Sequence, residues 1–405
     1  MFAHAVCLVN VRVAADGGVA DTLRFSSRIL GVGDPPRAGD TVIDGAGSVV
    51  LPGLVNAHDH LELNHYGRLK GRDRYVNASE WIDDLRPRLS ADPAIRDGRA
   101  HPLGERLFIG ALKNLLAGVT TVAHHNPFYP ELRRTVPVRV VRRYGWAHSF
   151  QLERQPAGAR GEPGGDVAER SRATPADAPF MLHLAEGVDE VAGEELPRLE
   201  ALGCLKPNTV LIHGVAIDEN GWRRVARMGA GLVWCPASNA FLFGETALVC
   251  AVVAGSEEAR VTVALGTDSR VTGSRDLLDE LRAARAALPL PPRVLLDMVT
   301  TEAAKLLRQP RAGRLAIGAP ADLVVIPPLA SAPAASLLEA TRRDVRLVVV
   351  DGRPLVGDPD CAAVFQARRV NARPLRVDAA PKIGESGLVR RIAGCPIAEP
   401  GVSVV

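Results

Sequence analysis

The sequence predicts an α/β protein: a TIM-type (β/α)8 barrel together with a small β-sandwich domain formed from both ends of the chain. Two observations lead to this prediction. Through the middle of the chain, short apolar strands alternate with helical stretches rich in Ala, Leu and Arg, a pattern typical of repeated βα units around a parallel sheet. Short β-type runs separated by Gly, Asp and Pro fill the first 50 residues and return near the other end.

The domain boundaries follow from this change in sequence pattern. We expect residues 1–50 and 312–375 to form the sandwich and residues 51–311 to form the barrel, whose extent matches the about 250 residues of such barrels. Residues 376–405 show no strong period. We therefore expect them to form an irregular C-terminal extension.

Seven barrel strands are recognisable, whereas a complete barrel has eight. They lie in SVVLPGLVNA, GVTTVAHH, VRVVRRYGWAH, FMLHLAE, TVLIHGV, AGLVWCP and VTVALGTD. Between Gly145 and Phe180 the chain is polar and rich in Gly and Pro. Either the fourth strand is degenerate or the barrel lacks it, and we expect an irregular segment at about 155–178.

Composition excludes several classes of partner. The net charge is only +3 over 405 residues, and the arginines are scattered among acids, so nothing indicates a nucleic-acid or membrane surface. The sequence shows neither a signal peptide nor an apolar run long enough to span a bilayer. We expect a cytoplasmic protein that acts on a small molecule.

Candidate metal ligands stand at the ends of the predicted strands, where barrel enzymes place their active sites. His58 and His60 share one face of the first strand because side chains alternate along an extended backbone. His183, His213 and Asp268 each end a later strand. A single histidine at a strand end is more often structural, but the placement recurs here, and imidazoles with a carboxylate suit zinc or ferrous iron.

The ordered motifs resemble those of the amidohydrolase superfamily. PGLVNAHDHLEL is followed by GVTTV, HLAE, IHGV, CPASN and GTDS, which within the superfamily is similar to the cytosine-deaminase and triazine-hydrolase (ATZ/TRZ-like) branch. AGRLAIGAPADLVVI is similar to the family's return into the small β domain. The resemblance covers residues 1 to about 360 except about 150–178. It implies an enzyme that hydrolyses carbon–nitrogen bonds other than peptide bonds, and relatives of this type commonly form dimers or larger assemblies, so a homodimer is one expected state.

The resemblance also implies a ligand set. It makes His58, His60, His183 and Asp268 the ligands of one divalent cation, with zinc first and Fe(II) as the alternative. Binuclear relatives carry a carboxylated lysine on the fourth strand, and no lysine lies between residues 113 and 206. The resemblance therefore implies a mononuclear site.

Three residues are implied to be catalytic. Asp268 would accept a proton from water, and Glu186, in HLAE, would carry that proton to the departing nitrogen. His213 would polarise the substrate and stabilise the tetrahedral intermediate. Glu186 also has a simpler interpretation, as a solvated residue at the start of a helix.

Substrate contacts are assigned less directly. Side chains that follow the first, second and third strands are the candidates: Asn64, His65, Arg68, Trp81, His125 and His148. Trp81 could instead cap the barrel, and His148 could be structural. We expect Ser238 and Asn239, in CPASN, to fix the backbone of their loop.

Two functions of different classes remain open. The first is deamination, or amide or amidine hydrolysis, of a small cyclic nitrogen compound. The alternative is a retooled paralogue that keeps the fold and binds a ligand or partner without hydrolysis. The intact set of ligands and proton-transfer residues favours the enzyme, because a binding scaffold does not need it.

Overall fold

The computed structural model of the protein describes residues 5–15, 18–150, 166–250 and 260–405. Its strands, in chain order, are β1 (Val6–Val9), β2 (Arg12–Ala15), β3 (Gly18–Ala20), β4 (Leu23–Phe25), β5 (Ile29–Val32), β6 (Thr41–Asp44), β7 (Val49–Pro52), β8 (Leu54–Asp59), β9 (Val119–His124), β10 (Arg139–Val140), β11 (Gly145–Ala147), β12 (Phe180–Leu184), β13 (Thr209–His213), β14 (Gly231–Trp234), β15 (Thr262–Leu265), β16 (Leu323–Ile326), β17 (Leu347–Val350), β18 (Arg353–Gly357), β19 (Ala372–Val377), β20 (Ala380–Glu385) and β21 (Val402–Val404).

Helices follow many of these strands. They are α1 (Ala78–Leu85), α2 (Arg88–Ala91), α3 (Pro93–Ala100), α4 (Leu103–Leu116), α5 (Val167–Ala173), α6 (Glu190–Gly193), α7 (Glu195–Ala201), α8 (Glu219–Arg227), α9 (Pro236–Leu242), α10 (Leu277–Ala287), α11 (Pro292–Met298), α12 (Thr301–Leu306), α13 (Pro333–Glu339), α14 (Ala362–Ala367) and α15 (Ser386–Gly394). Asp or Asn caps several of them; Asp276, for example, accepts hydrogen bonds from Leu278 N and Asp279 N. Among the described residues, none of these helices combines the length and the apolar character needed to cross a bilayer.

The middle of the chain forms two parallel sheets, in the orders β8-β9-β10 and β11-β12-β13-β14-β15. Every residue of β8, β9, β12, β13 and β14 is buried, as expected for strands covered on both faces. The segment after β15 reaches β8, since Thr267 N donates to Asn56 Oδ1 over 3.2 Å. Complete closure of the barrel stays a prediction.

The strand predicted in VRVVRRYGWAH consists of two short pieces. β10 pairs with β9, and β11 pairs with β12, with only four residues between the pieces. A crossover between parallel neighbours needs a dozen or more residues, so β10 and β11 follow one another along one interrupted strand. This strand links the two sheets, which accounts for the seven strands recognisable in the sequence.

The irregular segment expected at about 155–178 is only partly described, because its residues up to 165 lie outside the described ranges. The expectation is wrong for the part that follows. Residues Val167–Ala173 form α5, and Asp166 caps it by accepting a hydrogen bond from Ala168 N. The polar sequence hid this helix because its glutamate and arginines alternate with a short buried face.

Strands from both parts of the chain form a nine-stranded sheet in the order β21-β19-β20-β18-β17-β16-β7-β2-β3, and strands from the first part alone form a four-stranded sheet in the order β5-β4-β1-β6. β7 from the first part of the chain pairs antiparallel with β16 from the last part. The two sheets share one buried apolar cluster, which includes Phe25, Val50 and Leu323. The β-sandwich and the domain boundaries given above stay predictions.

The prediction of an irregular extension after residue 375 is wrong. β19 and β20 form a hairpin within the nine-stranded sheet, α15 follows, and β21 pairs with β19. The strands are hard to recognise because β19 alternates exposed arginines with the buried Leu375 and Val377, which dilutes its apolar character.

Candidate metal centre

Six predicted site residues meet at the ends of the parallel strands, and we call them the metal-site cluster: His58, His60, His183, Glu186, His213 and Asp268. Nε2 of His60 lies 3.4 Å from Nε2 of His183. Oδ1 of Asp268 lies 3.6 Å from Nε2 of both His58 and His60. Nitrogen and oxygen ligands of a tetrahedral zinc ion are about 3.4 Å apart, so these separations fit one cation.

Three imidazoles of the cluster, those of His58, His60 and His183, have the neutral protonation state that a metal ligand needs. Burial lowers the pKa of His58, His60 and His183, which favours the neutral ring whose free nitrogen can bind a metal. Nδ1 of His183 donates to the His148 carbonyl oxygen over 2.8 Å, which leaves its lone pair on Nε2. Neither ring nitrogen of His58 has a hydrogen-bond partner among the described residues, although buried polar atoms normally have one.

The backbone at the strand ends is shaped to present these side chains. His213 and Asp268 adopt φ values of 74° and 51°, a left-handed conformation that costs energy and often marks functional positions. Gly266 precedes Asp268, and a Cβ there would lie 2.7 Å from the Cβ of His58. Glycine at this position therefore lets the two strand ends approach closely.

The Asp268 carboxylate is held by its own loop and by a neighbouring loop. Its Oδ2 accepts hydrogen bonds from Ser238 Oγ at 2.9 Å and Thr272 Oγ1 at 2.5 Å, while Oδ1 faces the histidines. Burial acts to raise the pKa of Asp268, but His58 and His60 outweigh it and hold that pKa well below its usual value. The carboxylate is therefore ionised at neutral pH.

Glu186 and His213 form a second pair in the cluster. Oε1 of Glu186 lies 3.4 Å from Nε2 of His213, and burial raises the pKa of Glu186 to about 7. Nδ1 of His213 donates to Asn239 Oδ1 over 2.8 Å, which directs Nε2 toward Glu186. The expected role of Ser238 and Asn239 is corrected here: their side chains orient Asp268 and His213, because CPASN opens α9 beside both strand ends.

His125 and His148 lie beside the cluster. The ring centres of His125 and His183 are 4.3 Å apart, and candidate ligand atoms of His125, His148 and His183 lie within 4.8 Å of one another. Nε2 of His125 donates to the Ala147 carbonyl oxygen over 3.0 Å, which leaves the lone pair on the buried Nδ1. Their contact with substrate stays a prediction, and this position supports it.

The other predicted substrate contacts lie farther along the first loop. His65 Nε2 bonds to the Gly98 carbonyl oxygen, Arg68 Nε donates to the Gly273 carbonyl oxygen, and Trp81 Nε1 donates to the Leu69 carbonyl oxygen. The substrate contact expected of Asn64 is wrong. Asn64 is buried, and both polar atoms of its side chain form hydrogen bonds with protein groups, with Nδ2 donating to Asp59 Oδ1 over 2.7 Å. Asn64 is therefore structural.

Asn64 belongs to a buried polar network that sequence reasoning missed. We call it the Asp59–Lys113 network, and its members are Asn56, Asp59, Asn64, Lys113, Asn114 and Thr267. Nζ of Lys113 lies 3.1 Å from Asp59 Oδ2, with both side chains fully buried. The one sequence signal is the alternation that turns Asp59 away from His58 and His60.

Comparisons with known proteins agree with this site. The amidohydrolase family model matches residues 157–355. The 5-methylthioadenosine/S-adenosylhomocysteine deaminase of Halobacterium salinarum is 30% identical, and the alignment covers 89% of this chain and 94% of that protein. A zinc-complexed atrazine chlorohydrolase of Arthrobacter aurescens TC1 has a similar structure, with a TM-score of 0.70 and 21% identity over 90% of this chain and 100% of that chain.

An adenosine deaminase of Xanthomonas campestris with bound zinc is also similar, with a TM-score of 0.65 and 20% identity over 90% of this chain and 97% of that chain. The chain belongs to the amidohydrolase family, as its motifs predicted. It is an enzyme that acts on carbon–nitrogen bonds. The interpretation as a non-hydrolytic paralogue is therefore set aside.

Proposed function

We propose that this enzyme is a mononuclear, zinc-dependent deaminase that removes an amino group from a nitrogen heterocycle. His58, His60, His183 and Asp268 would hold the cation. The observation that carries the proposal is the metal-site cluster, where the neutral imidazoles of His58, His60 and His183 and the ionised carboxylate of Asp268 include pairs only 3.4–3.6 Å apart. The zinc in two structurally similar proteins supports zinc over Fe(II). Assembly as a homodimer stays a prediction.

Proton transfer follows from the side chains. When bound, a divalent cation supplies Lewis acidity that lets a water molecule ionise near neutral pH. Asp268 is ionised and can take the proton from that water. Glu186, with its pKa of about 7, can take up a proton and release it to the departing nitrogen at neutral pH.

His213 acts beside Glu186. Nδ1 of His213 donates to Asn239, and its Nε2 lies 3.4 Å from Glu186 Oε1. Nε2 is therefore placed beside the proposed proton carrier, where it can form a hydrogen bond with the part of the heterocycle that develops charge during attack.

Similarity supports deamination over amide or ring-opening hydrolysis. The deaminase that is 30% identical acts on 5-methylthioadenosine and S-adenosylhomocysteine by its name, and the similar structures include enzymes named for adenosine and for atrazine. These named compounds share an amino-substituted, nitrogen-containing aromatic ring. We therefore place such a ring at the metal-site cluster.

The test measures ammonia release from aminopurines and aminotriazines by zinc-loaded protein. We expect Glu186→Gln to lower kcat by about 10²–10⁴-fold while elemental analysis still finds one zinc per chain. Glu190→Gln, an exposed acid on α6, is the matched control and should leave kcat unchanged. Near-normal turnover by Glu186→Gln, or no ammonia from the whole panel, would contradict the proposal.

A further inference from the structure

A cavity of about 710 Å³ is lined by residues that follow closely on three of the strand ends that carry the candidate site. Its lining includes Glu62, Pro127 and Val271, which follow His60, His125 and Asp268 by two or three residues. Residues just beyond three different strand ends therefore face this space. A volume of this size accommodates a drug-sized molecule, which is larger than a single aromatic ring.

A helix that lines the cavity is also hydrogen-bonded to the backbone of Glu186. Its apolar wall includes Trp81, Ile82 and Leu85 of α1. The first residue of α1 is bonded to the backbone of Glu186, with Ala78 N donating to the Glu186 carbonyl oxygen over 2.9 Å. The helix that shapes the cavity is thus fixed against the residue proposed to carry the proton.

The polar residues of the cavity are mainly cationic. Three arginines line it, Arg86, Arg99 and Arg106, against a single acid, Glu62. Arg86 has a nearby carboxylate, since its Nη1 lies 3.2 Å from Asp83 Oδ1. In the part of the chain that the structure describes, no carboxylate lies within 4.0 Å of the charged nitrogens of Arg99 or Arg106, although Arg106 is near enough to Glu62 to act against the rise in that residue's pKa.

The arginines stand at different depths. Arg106 is 8% exposed, and its Nε donates to the His101 carbonyl oxygen over 3.2 Å, which fixes the direction of the guanidinium. Arg99, in the last turn of α3, and Arg86, just after α1, are exposed. An apolar ligand in the cavity would therefore meet positive charge both near the floor and at the rim.

We propose that this cavity binds the non-reacting part of the substrate, and that this part is an apolar chain or ring bearing a carboxylate or another anionic group. The inference rests on the proposed function, because it assumes that the reacting heterocycle lies at the metal-site cluster. The apolar wall would hold the hydrophobic body, and Arg99 and Arg106 would bind the anion.

Calorimetric titration of the intact, zinc-loaded protein tests the proposal without turnover. The probes are phenylbutyrate, which has an apolar body and an anion, and phenylbutanol and phenylbutylamine, which replace the anion with a neutral or cationic group. We expect phenylbutyrate to bind about tenfold more tightly than phenylbutanol, as a charge-assisted hydrogen bond would give. Phenylbutylamine should bind more weakly than either.

Arginine variants assign the selectivity to the cavity. Arg99→Gln and Arg106→Gln should each weaken phenylbutyrate binding several-fold and leave phenylbutanol binding unchanged. Arg96→Gln, on the same helix as Arg99 but outside the cavity, is the matched control and should change neither. Ile82→Trp should weaken both probes by filling the space. Equal affinities for phenylbutyrate and phenylbutanol, or an equal effect of Arg96→Gln, would overturn the proposal.

Failure of this inference is separable from failure of the proposed function. Ammonia release only from compact, uncharged heterocycles, with a KM that Arg99→Gln and Arg106→Gln leave unchanged, would overturn the inference and leave the deaminase proposal intact. Arginine-dependent selectivity for phenylbutyrate with no ammonia release from any heterocycle would support the anion-binding cavity and contradict the deaminase.

Discussion

The metal-site cluster and the Asp59–Lys113 network occupy opposite faces of the same strand ends. His58 and His60 belong to the cluster, while Asp59 between them belongs to the network. At the end of β15, Asp268 belongs to the cluster and its neighbour Thr267 to the network. In the cluster, His58 and Nε2 of His213 have no hydrogen-bond partner among the described residues. In the network, each carboxylate oxygen of Asp59 accepts at least one hydrogen bond.

This difference separates a functional face from a structural one. A buried polar atom without a partner is costly, so the cluster is stable only because the remainder of the fold imposes it, and a bound ligand would relieve that cost. The network instead satisfies its charges internally. Substitutions in the cluster should therefore affect activity more than stability, and substitutions in the network should do the reverse.

Asp268→Asn should give the largest loss of activity. Asparagine keeps the size of the side chain but removes the charge that holds the metal and accepts the proton, so we expect kcat to fall by about 10³-fold or more. The zinc content should also fall, whereas the thermal unfolding midpoint, compared between the two metal-free proteins, should stay the same or rise. Steady-state kinetics, elemental analysis and calorimetry measure these three quantities.

Asp297→Asn is the control for that experiment, because Asp297 pairs with Arg293 at the surface. It should leave kcat and zinc content unchanged. A large loss of stability in Asp268→Asn, with zinc still bound, would show that the cluster is structural and would break the contrast between the two faces.

Lys113→Met should give the largest loss of stability. Its ammonium group is fully buried against Asp59, and removing one member of a buried pair leaves an uncompensated charge, at a cost of about 3–5 kcal/mol. Adding Asp59→Asn should recover part of this loss. Denaturant unfolding measures the free energies, and kcat per folded, zinc-loaded molecule should change far less than in Asp268→Asn.

Lys305→Met replaces an exposed lysine and should be neutral. If Lys113→Met were as stable as the unsubstituted protein, the Asp59–Lys113 network could not be a source of fold stability. Recovery on adding Asp59→Asn would identify the unpaired carboxylate, and not the altered side-chain packing, as the cause of the loss.

The two faces also differ in how well the sequence predicts them. The cluster could be recognised because its ligands recur at the ends of successive strands, and strand alternation places His58 and His60 together. The network could not be recognised. Lys113 lies in the apolar stretch GALKNLLA of α4, 54 residues beyond Asp59, and nothing in the sequence around Lys113 indicates that it contacts Asp59.

The same reason explains other differences between sequence and structure. Asn64 follows the histidine motif closely, so sequence order suggested a substrate contact, but the turn after β8 directs its side chain to Lys113. The interrupted strand formed by β10 and β11 has a normal apolar pattern. Only its pairing with β9 on one side and β12 on the other reveals that it joins the two sheets.

Two glutamates, the half-buried Glu186 and the fully buried Glu280, offer the smallest test of the contrast between the two faces. Burial raises the pKa of both Glu186 and Glu280 to about 7. Glu186 faces His213 in the cluster, whereas Glu280, on α10, accepts a hydrogen bond from Ala237 N over 2.9 Å and lies behind the loop that orients Asp268. The same pKa should therefore serve proton transfer at one position and pH-dependent stability at the other.

The direction in which stability changes with pH follows from the difference in proton binding between the folded and the unfolded protein. Because the folded-state pKa of Glu280 lies above the value of 4.5 for an unperturbed glutamate, the folded protein holds this proton more tightly, and stability from Glu280 is lost as pH rises from about 4.5 through about 7. Glu280→Gln imitates the protonated form and keeps an acceptor for Ala237 N. We expect it to be more stable than the unsubstituted protein by about 3 kcal/mol at pH 8 and about equal to it at pH 4, with kcat changed less than twofold. Unfolding at the two pH values, beside Glu186→Gln, measures this; a loss of activity in Glu280→Gln as large as that in Glu186→Gln would place Glu280 on the functional face.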